Sequence, residues 1–262
     1  MSETTDSDGC TAAIDRKNAV DATISADKLE TFLERIHALV EEARVHFDGD
    51  GVHCYAVDPA NVGYVESHID EVVFGEYKAV DCVIGAPIRK LRTVLEVMDG
   101  DVEIAVNVAE ETVSFDDGDA QYQTEYVDPD SVRQADHDRD WETAAEVYVG
   151  GHELKRAAKL ASEVGDHIEL DYDPDTKTLQ AIADEDVQSS AVDISTTATP
   201  QNNDAWGYYS EDYFTDMLDA IPPAASIAVG LGEDNVPLEL GVSHGQIQTD
   251  YALAPRITGV DD

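Results

Sequence analysis

The sequence predicts an α+β fold built from four βαβββ units in two similar domains, with antiparallel sheets carrying helices on one face. Three observations predict it. An apolar helical stripe recurs four times, a short strand precedes each stripe and three β-type runs follow it, and a polar linker divides the four units into pairs.

The stripe uses offsets of 0, +3, +6, +7 and +10, the spacing of a helix docked by one face. It falls on Leu29, Phe32, Arg35, Ile36 and Leu39, and again on Ile88, Leu91, Val94, Leu95 and Met98. The third copy is Leu154, Ala157, Leu160, Ala161 and Val164; the fourth is Glu211, Phe214, Met217, Leu218 and Ile221. Eighteen of these twenty positions are apolar, and the copies are 59, 66 and 57 residues apart. The preceding strands are "DATIS", "DCVIG", "EVYVG" and, more weakly, "AWGYYS".

In the first unit, "ARVHFDGDGVHCYAVD" reads as a hairpin turning at Gly49 and Gly51, and "YVESHID" follows it. The later units continue as "VEIAVNV", "TVSFDD", "AQYQTEYV"; then "HIELDYD", "TLQAIAD", "VQSSAVDIS"; then "SIAVGLG", "VPLELGV", "QIQTDYALA". The non-periodic stretch "DPDSVRQADHDRDWETA" is the linker. The expected boundaries are a flexible acidic extension at 1–18, a domain at 19–127, a connecting loop at 128–144, a domain at 145–257 and a tail at 258–262.

Composition sets the habitat. A formal net charge of -41 would suit a disordered chain, but 42% hydrophobic residues in periodic runs from Val20 to Ile257 exclude that. Asp outnumbers Glu, 35 to 22, and only seven residues are Lys. Such a surface is tolerable where salt screens self-repulsion, the Debye length being about 3 Å at 1 M. The reading is a soluble protein of a salt-rich cytoplasm, cellular or viral in origin. Cys10, Cys54 and Cys82 show no paired spacing. No apolar run approaches a membrane span, and the N-terminus lacks a signal-peptide core.

Signals for catalysis, a metal or a cofactor are absent. The eight histidines show no metal spacing, and His53 and Cys54 on one strand point to opposite faces. "GLGED" follows a strand with no helix after it, so it reads as a hairpin turn rather than a nucleotide loop. Among 57 carboxylates, a pair such as Asp116 and Asp117 is a solvated face.

Basic charge is unevenly placed. Arg89, Lys90 and Arg92 lie roughly opposite the apolar stripe of the second helix, Lys155, Arg156 and Lys159 do the same on the third, and Lys28 and Arg35 sit on the first; these are 8 of the 16 basic residues. The fourth helix has none. Any single such helix is equally well an ordinary solvated face; the recurrence points to one polyanionic partner, nucleic acid.

The motifs "AVDPANVG", "YVDPDSVRQ", "SEVGDHIEL", "NVPLELGV" and "YALAPRI" resemble archaeal proliferating cell nuclear antigen, the DNA sliding clamp, especially its haloarchaeal forms. The resemblance runs from about Val20 to Ile257 in family order. It implies the DNA-clamp fold, with three two-domain subunits closed into a homotrimeric ring around duplex DNA, helices lining the hole and sheets outside. It makes the eight cations DNA-facing. DNA polymerase, clamp loader, ligase and nuclease would dock by short peptide motifs at Val57, Val62, Val132, Pro237, Leu253, Ala254 and Pro255. Trp141 either adds an aromatic wall there or packs on its own domain. Subunits would join through "AQYQTEY" and "VQSSAVDI", in a ring that loosens at low salt. Two alternatives stand beside this reading. One is a subunit of a heteromeric ring, motivated by the missing basic residues on the fourth helix; the other is a halophilic hydrolase.

Overall fold

The computed structural model describes residues 18–135, 141–198 and 203–256. Cys10, nearly all of the expected N-terminal extension, the tail and residues 136–140 of the connecting loop lie outside the described residues. The described chain divides into two compact units, one of residues 18–37, 41–55 and 67–134, the other of residues 38–40, 56–66 and 135–256.

The first unit begins with β1 (Val20–Ser25), α1 (Ala26–His37), β2 (Ala43–Phe47), β3 (Gly51–Val57) and β4 (Gly63–Asp70). It continues with β5 (Glu76–Ala79), β6 (Cys82–Ala86), α2 (Ile88–Leu95), β7 (Asp101–Asn107), β8 (Thr112–Asp116) and β9 (Gln121–Glu125). The ends of β3 and β4 nearest their shared turn count with the second unit. One antiparallel sheet has the order β5-β1-β7-β8-β9, and β4-β3-β2-β6 run side by side in another.

Alternation makes these strands. Ala43, Val45 and Phe47 of β2 are buried while Arg44 and His46 are half-exposed, and Val102, Ile104 and Val106 of β7 are buried between more exposed neighbours. On the helices, Leu29, Phe32 and Ile36 of α1 and Ile88, Leu91 and Leu95 of α2 are buried. Burying each such side chain contributes about 1.5–3 kcal/mol. Between helices and sheets lies a cavity of about 40 Å³, lined only by carbon from residues such as Leu33, Val52, Phe74, Ala86 and Phe115.

The second unit contains β10 (Ala145–Gly150), α3 (Gly151–Ala161), β11 (His167–Asp173), β12 (Thr178–Glu185), β13 (Gln188–Ser195) and β14 (Thr197–Ala198). Then come β15 (Ala205–Ser210), α4 (Glu211–Asp219), β16 (Ser226–Leu231), β17 (Leu238–His244) and β18 (Ile247–Leu253). The sheet orders are β13-β12-β11-β15 and β14-β10-β16-β17-β18, again antiparallel.

The order βαβββ therefore occurs four times, as read from sequence, with β5 and β14 added. Both additions are short, and β5 buries no residue, so neither carries an apolar period. "GLGED" joins β16 to its antiparallel partner β17, as a hairpin connection should. β9 and β13 are among the strands that end their sheets, each pairing on one side only among the described residues.

The repeated stripe needs one correction. Its +6 position is Leu160, exposed to 40% on α3; Val94, half-buried on α2; Arg35, fully buried on α1; and Met217, fully buried on α4. At roughly 100° per residue, offsets 0, +3, +7 and +10 share an arc of about 80°, and +6 lies about 40° beyond it. That flank is set by local packing rather than by the stripe.

Candidate DNA-facing and partner-facing residues

α2 projects Arg89 and Lys90 into solvent, while Arg92 is partly covered. All three have partners within the first unit. Arg89 lies 3.5 Å from Glu41 and Arg92 lies 3.7 Å from Glu34 on α1. Lys90 Nζ is 3.1 Å from Thr124 Oγ1 and 5.7 Å from the centre of the Tyr122 ring, both on β9. On α3, Lys155 Nζ lies 3.9 Å from the Asp219 carboxylate and 3.3 Å from its backbone carbonyl. Arg156 and Lys159 are exposed and make no ion pair among the described residues. Lys28 is half-buried on α1. Arg35 is not DNA-facing: it has no exposed surface.

Surface ion pairs such as Arg89–Glu41 are worth at most about 1 kcal/mol and less in salt, so an incoming phosphate can displace the carboxylate. α4 has the opposite character. Its face carries Asp212, Asp216 and Asp219. Burial pushes the Glu211 carboxyl above its ordinary range, a hydrogen bond from Thr215 opposes the rise, and the three aspartates add to it.

The partner-facing positions centre on the loop between β3 and β4. Asp58, 2% exposed, accepts from the backbone N–H of Ala60 (2.8 Å), Val62 (2.6 Å) and Gly63 (2.7 Å). A fourth donor is the Tyr213 hydroxyl of α4, at 2.7 Å. Burial raises the Asp58 pKa, but these four donors outweigh it and hold the group below the usual carboxylate range. Asn61 takes a left-handed φ of 60°, and a Cβ on Gly63 would meet Leu39 at 2.8 Å. The Val62 carbonyl accepts from Ala254 N–H at 2.8 Å.

The register Leu238↔Leu253 brings Pro237 beside Ala254. Asn235 fastens the same region, accepting from Tyr208 N–H at 2.9 Å and donating to the Arg256 carbonyl at 2.7 Å. Val57, Val62, Pro237, Ala254 and Pro255 are thus half-buried residues of the second unit. Two expected pocket residues do not fit. Leu253 is fully buried because it is an inward position of β18, and Val132 is buried in the first unit after a 3₁₀ turn capped by Asp128. The Trp141 indole donates to Glu239 at 3.1 Å, which ties it to its own unit.

Sequence reading missed two clusters of titratable groups. His46 and His53 face each other in the β2–β3 register, and His53 stacks on His68 at 4.2 Å and 7°. The hairpin register was the available signal. Burial and the charge of His68 push the His53 pKa down, with Asp48 opposing. In the second unit, Asp166, His167 and Glu185 offer ligand atoms within 4.8 Å of one another, the one such group among the described residues. Arg256 already holds Asp166, at 2.9 and 3.0 Å, and keeps that carboxyl below its usual range, so a metal ion would have to compete with the guanidinium. Cys54 is fully buried, and burial pushes its thiol upward, away from reactivity.

No family model matches the chain. Among curated proteins, the DNA polymerase sliding clamp of Haloarcula marismortui is 31% identical over 245 residues, covering 90% of this chain and 98% of the relative. That of Natronomonas pharaonis is 32% identical with the same coverage. Among solved structures, A. fulgidus PCNA bound to the C-terminal region of FEN-1 superposes with a TM-score of 0.84 at 26% identity, covering 92% of this chain and all of that one. PCNA from Thermococcus kodakaraensis shares the fold, with a TM-score of 0.80 at 19% identity over 90% of this chain and all of that one. These are not hydrolases, and the enzyme alternative falls. Aligned over nearly its whole described length, with four helices on antiparallel sheets, the chain belongs to the DNA polymerase sliding clamp family, whose members act as processivity factors and not as enzymes.

Proposed function

We propose that three copies of this chain close into a ring around duplex DNA and hold DNA polymerase to its template at high salt. The observation that carries the proposal is the exposure of Arg89, Lys90, Arg156 and Lys159 on helix faces of a chain whose net charge is -41. Phosphate contacts carry no sequence information, which suits a protein that slides. Attraction alone would fail in molar salt, since log K drops by roughly 0.9 per neutralised phosphate for each log unit of salt. A closed ring keeps its DNA by topology, and the cations, with Lys28, Arg92 and Lys155 in support, offset repulsion between two polyanions.

The unpaired edges of β9 and β13 supply strands that can join across subunits. Val57, Val62, Pro237, Ala254 and Pro255 form the surface for partner peptides of polymerase, clamp loader, ligase and nuclease. The nuclease peptide bound to the A. fulgidus relative supports this assignment. The setting is a salt-rich cytoplasm; among the described residues no helix is long and apolar enough to cross a membrane.

Light scattering in molar salt tests the assembly. The expected mass is three times that of the 28.4 kDa chain, with loader-dependent retention on circular DNA. A monomer throughout the micromolar range, never retained, would sink the reading. A heteromeric ring is the second reading, favoured by the cation-free face of α4. It predicts that the full ring mass forms only after related subunits are added.

A further inference from the structure

The Tyr213 hydroxyl donates to Asp58 across 155 positions of sequence, at 2.7 Å. Asp58 is the hub of the β3–β4 loop. Its Oδ1 accepts from Val62 and Gly63, its Oδ2 accepts from Ala60 and Tyr213, and its backbone N–H donates to the Gly63 carbonyl at 2.9 Å. Val62 is therefore gripped on both sides, by Asp58 through its N–H and by Ala254 through its carbonyl. The Tyr213 ring is close enough to the loop that a Cβ on Gly63 would meet it at 3.2 Å.

We propose that Tyr213 is a positioning residue for partner-peptide binding, holding Asp58 so that Val62 is preset beside Ala254. This rests on the partner-surface reading above. A peptide that docks on a preset loop avoids the ordering cost that a loose loop would add on binding. Asp58 can serve as a hub only while ionised, since all four donors point at acceptor oxygens. The carboxylate also holds the Tyr213 proton, raising that phenol to about 12. Tyr213 belongs to α4, the helix without cations, so the residue is assigned to the peptide surface and not to DNA.

Tyr213→Phe removes the donor and keeps the ring. Two readouts in molar salt test the proposal: hydrogen exchange at the amides of Ala60, Val62 and Gly63, and fluorescence anisotropy with a labelled C-terminal peptide of a FEN-1-type nuclease. The expected result is faster exchange at those amides and about two- to tenfold weaker peptide binding, the size of the ordering cost that a loosened loop adds. Oligomeric mass and retention on circular DNA should be unchanged. Tyr148→Phe, an exposed phenol on β10, should alter neither readout.

Unchanged exchange with unchanged affinity overturns the proposal. So does weaker binding with unchanged exchange at the loop, because the residue would then act by direct contact. A wild-type protein that fails to bind the peptide, while Tyr213→Phe still loosens the loop, overturns the partner-surface reading and the positioning role with it.

Discussion

Lys90 Nζ rests 3.1 Å from Thr124 Oγ1, so a helix cation expected to meet DNA is tethered to the edge strand β9. Tyr122, beneath the same ammonium, is the neighbouring half-buried residue on that strand. If β9 joins the next subunit, Lys90 orders the joining edge. Lys90→Ala should raise the trimer dissociation constant about two- to fivefold, the scale of an exposed polar pair. A dilution series by light scattering in molar salt checks this, and an unchanged constant would return Lys90 to the DNA-facing group alone.

Arg156 and Lys159 should behave differently. Neither has an ion pair among the described residues, so their removal breaks no internal salt bridge. The double variant Arg156→Ala, Lys159→Ala should keep its thermal stability and oligomeric mass. The slope of log K against log salt for a short duplex should shrink by roughly 1 to 2, about 0.9 for each phosphate no longer neutralised. An unaltered slope would mean that α3 does not face phosphates.

The histidine row makes the first unit acid-sensitive. The folded His53 pKa is depressed, by burial first and then by His68; Asp48 opposes and His46 adds a little. His46 is itself 2.6 Å from Asp81. As pH falls through the ordinary histidine value of about 6.5, the unfolded chain takes up the proton first. Stability is therefore whole above that pH and declines below it, until the folded ring also titrates. His68→Gln should raise the His53 titration midpoint followed by NMR and lessen the loss of melting temperature between neutral and mildly acidic pH, relative to wild type.

Gly85 tests a close approach of two backbones. It exchanges hydrogen bonds with Val127 at 2.9 and 2.8 Å, and an added Cβ would meet the Val127 carbonyl oxygen at 2.5 Å. The obstacle is main chain and cannot swing away. Gly85→Ala should destabilise the protein by about 1–3 kcal/mol, seen as a lower urea midpoint at unchanged slope.

The repeat was legible because its physical basis is local. Each helix buries one stripe, each strand alternates, and both periods are written in consecutive residues. Arg35 and Leu160 show the limit of that argument. They share the +6 offset, yet one is fully buried and the other is exposed, since the stripe's flank depends on which neighbour packs there. Leu253 was assigned to a binding surface by its motif, while its register opposite Leu238 places it inward. The Asp58–Tyr213 bond and the His53–His68 stack were illegible for another reason: their partners meet only after the chain has folded, and neither pair has a signature in spacing.

The small apolar space inside the first unit is wide enough for a water molecule by volume, but its carbon walls offer a water nothing to bond to, so it stays dry. Empty volume is what hydrostatic compression acts upon, because unfolding eliminates it. This unit should therefore yield progressively as pressure rises. One or two methyl groups added at Ala86, on the wall of the void, should make the protein stiffer and more tolerant of deep pressure without touching any surface through which it meets other molecules.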